Sequence, residues 1–266
     1  MKLAIVQNEV SENKAENLEQ VLALIEKAAS QKADLILLPE LWNTPFINSS
    51  IQNHADEWDD LIPPLQEAAR KHGLWILAGS LPRKDGNRLY NSCAVINDKG
   101  EIIAIADKTH LLEVHTTKHA YYESGVFTPG KALCKVDSPW GKIAVLICYD
   151  NRFPEAARTL CSDCFLLAAP CGFNEKVGQK HWQPLFQTRA MENQVFAAAA
   201  NPAGKDYGSY KSYGHSQIVD PDGVLLGQLD EKCGLLLADL DPSKVQRIRQ
   251  RSPFWKIRRT DLYSCD

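Results

Sequence analysis

The sequence predicts an α/β fold in which two similar halves stack on each other. Apolar runs of strand length alternate with amphipathic helix patterns along most of the 266 residues. Each half also carries two strand patterns joined by a turn containing glycine, at 90–106 and again at 215–229. The repeat is weak in sequence. It nevertheless predicts two stacked α-β layers in a pseudo-symmetric arrangement, and the length suits one large domain or two small ones.

The first half opens with a strand and an amphipathic helix, and its next strand is apolar throughout, as expected for burial on both faces. Pro64 is interpreted as a first-turn proline of a second helix. The predicted elements of this half are a strand at 2–7, a helix at about 13–31, a strand at 35–38, a helix at 64–72, a strand at 74–79, and a hairpin of 90–97 with 101–106.

The second half repeats this order after a long connection at 109–131 in which no element is predicted. Loops of that length inside a domain are usually functional, so we expect 109–131 to form a wall or lid of a site. The elements that follow are a strand at 142–147, a helix at 154–161, a strand at 164–169, a helix at 180–194, a strand at 195–200, a hairpin of 215–220 with 224–229, and a helix at 242–249.

Composition excludes several classes of function. The net charge is −3, and clustered basic and aromatic residues of a nucleic-acid surface are missing, so no nucleic-acid partner is expected. The basic stretch 247–259 is expected to cap a helix end or join an interface. The chain starts directly in a strand pattern and carries no run of membrane-span length, which favours a cytoplasmic location without a membrane partner.

Eight cysteines in a chain of this length predict free thiols rather than a disulfide scaffold. Cys161 and Cys164 have the spacing of half a zinc site, but a second pair is missing, and we expect both to pack in the core. Cys171 is expected near the pocket without a chemical role. No cluster of histidine and carboxylate residues has ligand spacing, so we expect neither a metal nor another cofactor.

Three polar side chains end apolar runs and suggest one built site. Glu40 follows the strand at 35–38, Lys108 follows the strand at 101–106, and Cys148 lies between the strand at 142–147 and a helix start. A thiol on a strand-to-helix turn is rigidly presented, as a nucleophile requires. Each residue alone is better explained as a core thiol or a solvated charge. The three together favour catalysis.

These groups can hydrolyse an amide. Glu40 in a partly dry pocket would act as general base and then acid, because burial raises the pKa of a carboxyl toward neutrality. Lys108 would favour the thiolate of Cys148 and face the charge of the tetrahedral intermediate. The backbone N–H of Tyr149 would be a second oxyanion donor, an interaction worth roughly 3 kcal/mol of barrier.

The order Glu, Lys, Cys with these flanks resembles the nitrilase superfamily of carbon–nitrogen hydrolases. The matching motifs are LLPE at 37–40, DKTHL at 107–111 and ICYDNRFPE at 147–155. The resemblance covers almost the whole chain and implies a single domain over 1–266 with a four-layer α-β-β-α sandwich. It also implies the catalytic set Glu40, Lys108 and Cys148, with Glu123 as a supporting carboxylate.

The sequence is most similar to the ω-amidase branch, which hydrolyses the terminal amide of short dicarboxylate monoamides such as 2-oxoglutaramate. The supporting stretches are PELWNTPF at 39–46, GFN at 172–174, HW at 181–182, RAMENQV at 189–195, YGHS at 213–216 and DLY at 261–263.

The resemblance also implies a substrate-binding set. Arg152 matches the arginine that holds the distal carboxylate of the substrate, although a salt bridge to Glu155 or Asp150 explains it equally well. The branch commonly has threonines near 175–178, where this chain reads EKVG. Lys176 could replace them as the cation, or the pocket could accept a different acyl group. Phe46 and Phe173 are placed to shape a small pocket.

Several alternatives stay open at this point. Within the superfamily the activity could be that of an N-carbamoyl amino acid hydrolase, a deaminated glutathione amidase or a nitrilase. A non-catalytic binding or scaffold protein on the same fold is an alternative of another class. The expected partners are a small-molecule amide and water. The resemblance implies a homodimer or higher homo-oligomer, to which the aromatic and basic tail 251–266 would contribute by packing.

Overall fold

A computed structural model describes residues 1–115 and 120–263 of the chain. The helices are α1 (Lys14–Ser30), α2 (Asn48–Asn53), α3 (Trp58–His72), α4 (Pro154–Leu160), α5 (Glu175–Asn193) and α6 (Pro242–Arg251). The strands are β1 (Lys2–Gln7), β2 (Leu35–Leu37), β3 (Trp75–Leu77), β4 (Leu81–Asp85), β5 (Arg88–Ile96), β6 (Ile102–Asp107), β7 (Glu113–His115), β8 (Ala120–Tyr122), β9 (Cys134–Ser138), β10 (Gly141–Val145), β11 (Cys164–Pro170), β12 (Phe196–Ala200), β13 (Gln217–Val219), β14 (Leu225–Gln228) and β15 (Gly234–Asp239). None of the helices in the described ranges has the length and hydropathy needed to cross a membrane.

The strands form two large sheets and one small hairpin. The first sheet has the order β15-β1-β2-β3-β5-β4, and β6 also pairs with β5. The second has the order β14-β13-β12-β11-β10-β9. In both, the central strands run parallel and the flanking strands antiparallel. The two sheets therefore repeat one topology, as the hairpin repeat in the sequence predicted.

Alternate residues of the central strands face two different cores. Leu3 and Ile5 of β1 belong to the core between the two sheets, which also contains Ile143 and Val145 of β10. Ala4 and Val6 instead pack with residues of α1 and α3, outside the first sheet. Outside the second sheet, α4 packs against β10 and β11. The layers are therefore α-β-β-α, which confirms the fold class.

Two helices begin earlier than the sequence predicted. The helix expected at 64–72 is α3, which begins at Trp58 and contains Pro63 and Pro64. The interpretation of Pro64 as a first-turn proline was wrong. The two prolines leave the carbonyls of Asp59 and Asp60 without a helical N–H, and both aspartates are exposed, so that water can satisfy these groups.

The helix expected at 180–194 is α5, which begins at Glu175. Asn174 caps it by accepting a hydrogen bond from the backbone N–H of Val177 at 3.0 Å. The residue in its second turn is Gly178, and glycine is required there because a Cβ would stand only 2.3 Å from Cδ1 of Tyr213. This glycine, a weak helix former, had obscured the helix start in the sequence.

The connection 109–131 contains elements that the sequence did not indicate. Strands β7 and β8 pair as a short hairpin, and a 3-10 turn follows at Glu123–Gly125. His119, expected in this wall, lies outside the described residues. The hairpin strand expected from 215 begins only at Gln217, because His215 has a φ of 60° and stacks on the ring of Tyr213. Strands β4, β9 and β15 and helix α2 were also missed.

The C-terminal tail packs through one tryptophan. The ring of Trp255 lies beneath the guanidinium groups of Arg158, Arg249 and Arg258, at 4.7, 5.6 and 5.3 Å from its centroid. Arg249 also donates to the carbonyls of Cys161 and Asn193, at the ends of α4 and α5. The basic stretch therefore caps helix ends. Other apolar residues of the tail stay exposed in the single chain, namely Phe254, Ile257, Leu262 and Tyr263.

Candidate active site

The site lies between the two sheets, where strand ends from both meet. Glu40 follows β2 and Lys108 follows β6 in the first sheet, whereas Cys148 follows β10 in the second. A backbone hydrogen bond from the N–H of Glu40 to the carbonyl of Cys171 (3.1 Å) joins the sheets at this point. Lys108 and the thiol of Cys148 both lie within hydrogen-bonding reach of the Glu40 carboxylate, so the three polar strand ends of the sequence converge.

A buried ammonium and two buried carboxylates form the centre of the site. The Nζ of Lys108 lies 2.8 Å from Oε1 of Glu40 and 3.0 and 2.8 Å from the two carboxylate oxygens of Glu123. The side chains of all three are fully buried. Burying a charge is costly unless an opposite charge lies close to it. Here the ammonium and both carboxylates have such a partner.

Asn91 on β5 forms hydrogen bonds to both carboxylates and so fixes their relative position. Its Nδ2 donates to Oε1 of Glu40 at 2.9 Å and to Oε1 of Glu123 at 3.1 Å. The backbone N–H of Leu112 donates to Oε2 of Glu123 at 2.7 Å. These bonds fix Glu123 by both oxygens and Glu40 by one. Both oxygens of Glu123 are therefore engaged, whereas Glu40 keeps one oxygen free.

The second oxygen of the Glu40 carboxylate lies beside Gly172. Oε2 is buried, and no N–H or O–H donor in the described residues bonds it. A Cβ at Gly172 would stand 2.9 Å from this oxygen and 3.2 Å from Cδ2 of Phe46, so only glycine leaves the oxygen room. The thiol of Cys148 lies within hydrogen-bonding reach of the Glu40 carboxylate.

Burial is the largest influence on the pKa values of Glu40 and Lys108. It raises the pKa of Glu40 above its ordinary value of 4.5, because it outweighs the opposing charge of Lys108, and the charge of Glu123 adds to the rise. Burial alone would lower the pKa of Lys108. The carboxylates of Glu123 and Glu40 more than reverse this, and the pKa lies well above 10.5. The ammonium therefore stays charged, while Glu40 binds a proton more strongly than a surface carboxylate does.

Cys148 occupies a strained turn at the end of β10. Its φ is 44°, in the left-handed region that residues with a side chain seldom adopt, and it opens a 3-10 turn, Cys148–Arg152. Asn151 stabilises the turn by donating to the carbonyls of Leu146 and Cys148 at 3.0 and 3.2 Å. The backbone N–H of Tyr149 finds no acceptor among the described residues, as an oxyanion donor requires.

A second thiol lies beside the first. Cys171 follows β11, the strand parallel to β10, and both cysteines belong to the core between the sheets. Burial, followed by a hydrogen bond with Cys148, raises the pKa of Cys171 well above 9.0. This thiol therefore stays protonated at neutral pH and is a poor nucleophile.

A cavity of about 430 Å³ opens next to the cluster. Phe46 and Gly172, which flank the free oxygen of Glu40, belong to its wall, and so does Tyr121 from the connection 109–131. The predicted role of that connection as a wall thus agrees with the structure. The remaining lining residues are Ile47, Asn48, Ser49, Leu112, Val114, Asn174, Ser209 and Tyr210.

The predicted substrate-binding residues lie in different surroundings. The ring of Phe46 faces Lys108, with its centroid 5.5 Å from Nζ. Phe173 is buried, and the guanidinium of Arg152 lies 5.1 Å from its ring centroid. Arg152 bonds Nδ1 of His181 at 2.9 Å, and within the described residues it forms no salt bridge to Asp150 or Glu155. Lys176 is exposed in the first turn of α5 and is absent from the cavity wall.

The sequence profile of one family, described as carbon-nitrogen hydrolase, matches residues 2–250. This chain belongs to the carbon-nitrogen hydrolase family. It is a hydrolase of carbon–nitrogen bonds other than peptide bonds. It is similar to "Omega-amidase NIT2" of Danio rerio, with 36% identity over 99% of this chain and 96% of that protein.

Two solved structures show the same fold over almost the whole chain. The NitFhit protein of C. elegans superposes with a TM-score of 0.94 and 31% identity, over 99% of this chain and 66% of that one. Nit3 of Saccharomyces cerevisiae, a member of branch 10 of the nitrilase superfamily, superposes with a TM-score of 0.89 and 30% identity, over 99% and 97% of the two chains. The predicted family is confirmed.

The sequence analysis assigned no role to two residues that shape the site, Asn91 and Gly172. Asn91 is a buried polar residue within β5, next to Ser92, and its position inside a strand was its available signal. Gly172 follows the apolar run of β11 and resembles an ordinary loop glycine. Their roles depend on Glu40, which is distant in sequence. Within residues 1–115 and 120–263, no group of three metal-ligating side chains is close enough to hold an ion.

Proposed function

We propose that this chain is a cysteine-dependent ω-amidase that hydrolyses the terminal amide of a short dicarboxylate monoamide. An example is the conversion of 2-oxoglutaramate to 2-oxoglutarate and ammonia. The observation that carries the proposal is the 2.8 Å contact between Lys108 and Glu40 beside the strained Cys148 turn. The substrate class is supported by similarity to a relative named omega-amidase over nearly all of this chain.

In the first half-reaction, Oε2 of Glu40 accepts the proton of the Cys148 thiol, and the sulfur attacks the amide carbon. Negative charge then develops on the carbonyl oxygen. The ammonium of Lys108 and the N–H of Tyr149 stabilise it, and one such donor is typically worth about 3 kcal/mol of barrier. Glu40 returns the proton to the leaving nitrogen as the C–N bond breaks. Ammonia departs, and an acyl-thioester remains on Cys148.

In the second half-reaction, water attacks the thioester. Glu40 accepts a proton from this water, and the same donors stabilise the second tetrahedral intermediate. The carbon–sulfur bond then breaks, which releases the carboxylic acid, and the proton returns to the sulfur. Lys108 serves as a fixed positive charge in both halves, because its raised pKa keeps it protonated.

The proposed site also has to recognise the distal carboxylate of the substrate. Arg152 and Lys176 are the proposed cations, and Phe46 and Phe173 the proposed apolar contacts. Arg152 supports the proposal more strongly than Lys176, because it lies against Phe173 next to the site, whereas Lys176 is exposed.

Ammonia release tests this function. The panel contains monoamides of dicarboxylic acids with different chain lengths, N-carbamoyl amino acids, deaminated glutathione and nitriles. We expect fastest turnover of a short monoamide, none by Cys148→Ala, and wild-type turnover by Cys233→Ala, which removes an exposed cysteine. Trapped acyl groups are sought on Cys148 by mass spectrometry. Turnover by Cys148→Ala would refute the mechanism, and a preference for another substrate class would refute the ω-amidase assignment.

We also propose that the protein is a homodimer. The support is the group of exposed apolar residues in the tail, including Ile257 at 68% and Leu262 at 66% exposure. Light scattering of the full chain tests this, with Ile257→Ser and Leu262→Ser together expected to weaken association. A monomer at high concentration would contradict it. The cytoplasmic location stays a prediction that cell fractionation can test.

A further inference from the structure

Asp150 lies two residues after the nucleophile, and its carboxylate is saturated with hydrogen bonds. The residue is only 2% exposed. Oδ1 accepts from the hydroxyl of Thr109 at 2.7 Å and from the backbone N–H and Nδ1 of His110 at 2.7 and 2.8 Å. The backbone N–H of Thr109 donates at 3.2 Å to the same oxygen. Oδ2 accepts from the backbone N–H of Ile147 at 3.1 Å.

The donors come from two segments that belong to different sheets. Thr109 and His110 directly follow Lys108, at the end of β6 in the first sheet. Ile147 directly precedes Cys148, after β10 in the second sheet. One carboxylate therefore ties the backbone next to the ammonium to the backbone next to the thiol.

The charge of Asp150 strengthens this tie. Among the described residues no lysine or arginine forms an ion pair with it, and His110 is its one titratable partner. N–H and O–H groups therefore stabilise the negative charge, and hydrogen bonds to an ionised acceptor are shorter and stronger than neutral ones. The ring of His110 is itself stacked on Phe153 at 3.8 Å between centroids, which fixes that donor.

We propose that Asp150 is a positioning residue that sets the distance between the ammonium of Lys108 and the sulfur of Cys148. This inference rests on the proposed function. Asp150 is absent from the cavity wall, and its side chain bonds the residues next to Lys108 and Cys148, through which it would act. A displacement of about 1 Å between reacting groups can reduce turnover on the order of 100-fold. Another tie between the sheets near the site is the backbone hydrogen bond from Glu40 to Cys171.

Asp150→Asn is the sharpest perturbation. It keeps the shape of the side chain but replaces one acceptor by an NH₂ group, which must then face backbone N–H donors from one of the two segments. Thr109→Val is the milder variant and removes the hydroxyl, which bonds Asp150 and also lies 3.0 Å from Nδ1 of His110, but keeps the backbone N–H donors. Asp220→Asn is a matched control. Asp220 is also 2% exposed and accepts the backbone N–H groups of Asp222 and Val224, in a hairpin turn remote from the site.

The main readout is independent of turnover. Full-length proteins are treated with iodoacetamide from pH 5.5 to 9.5, below their unfolding temperatures, and the adduct on Cys148 is quantified by peptide mass spectrometry. If Asp150 sets the separation of Lys108 and Cys148, its loss raises the pH at which the thiol reacts. One unit of that shift slows labelling at neutral pH about tenfold. The second readout is kcat and KM for glutaramate.

We expect Asp150→Asn to label at least about tenfold more slowly with a profile moved to higher pH, and to lose kcat while KM changes little. Thr109→Val should change in the same direction by less. Asp220→Asn should lose thermal stability yet label as the wild type. A wild-type labelling profile in folded Asp150→Asn would overturn the proposal. If that variant does not fold, wild-type labelling of Thr109→Val overturns it. A wild-type protein that labels normally but hydrolyses no amide would refute the proposed function alone.

Discussion

Lys108→Met should destabilise the protein because it leaves two buried carboxylates without their shared cation. Oε1 of Glu40 and Oε1 of Glu123 lie 2.8 and 3.0 Å from the same Nζ, so the two oxygens are at most about 6 Å apart. At an effective dielectric constant of 20, two unit charges at that distance repel by about 3 kcal/mol. Breaking a buried ion pair typically costs about 3–5 kcal/mol. We therefore expect a loss of stability in this range.

The pH dependence of that loss has a defined sign. Without Lys108 the carboxylates hold protons more strongly in the folded than in the unfolded chain, where their pKa is about 4.3. A raised folded pKa contributes stability that is complete below the unfolded pKa and is lost as the pH rises. The melting temperature of Lys108→Met should therefore approach the wild-type value near pH 4 and fall roughly 6–20 °C below it at pH 8.

The assay is thermal unfolding followed by circular dichroism from pH 4 to 8. Lys142→Met is the matched control, since Lys142 forms a solvent-exposed pair with Asp163 at 2.8 Å and its loss should change little. Removing one surplus carboxylate, in Lys108→Met with Glu123→Gln, should restore part of the stability. A Lys108→Met protein as stable as Lys142→Met at pH 8, or destabilised equally at every pH, would refute the charge argument.

Three further outcomes are expected. Glu40→Gln should reduce ammonia release about 10²–10⁴-fold. The pKa of Glu40 is raised on folding, so the stability that Glu40 contributes is complete below pH 4.5 and is lost as the pH rises above it. The Glu40→Gln variant should therefore gain stability relative to the wild type as the pH rises. A loss of relative stability over the same pH range would contradict this. Gly172→Ala should lower kcat on the order of 100-fold with little change in melting temperature, since its Cβ displaces the free oxygen of Glu40, and unchanged steady-state kinetics would count against that role. Trp255→Ala should lower stability in urea by about 1–2 kcal/mol, and an unchanged midpoint would show that the tail contributes no packing energy.

Sequence patterns predicted the structure correctly where the local preference of the residues agrees with their burial in the fold. The run 142–147 followed by a cysteine and a helix start predicted the β10 turn, and the polar residues at strand ends predicted Glu40 and Lys108. The alternation of apolar runs predicted both sheets. Failures occurred where a tertiary contact overrides local propensity. Gly178 is helical because Tyr213 packs against it, and prolines are tolerated in α3 because water reaches the carbonyls they leave free.

The support of the site depends on contacts between distant segments. Asn91 lies about fifty residues after Glu40 in the chain, yet it bonds both carboxylates. The tie from Asp150 to Thr109 and His110 likewise joins the two sheets. Side chains of this kind carry no local signal, because a polar residue in a strand or turn has many other uses.

The amino-acid order alone determined the layered α/β architecture, the family and the three groups at strand ends, because apolar periodicity and short motifs are properties of neighbouring residues. Only the tertiary structure decided which oxygen of Glu40 is free, which residues hold the buried charges and where the cavity opens. Those features arise from the stacking of two sheets, and the distances between atoms of separate strands are set by that packing rather than by any local run of sequence.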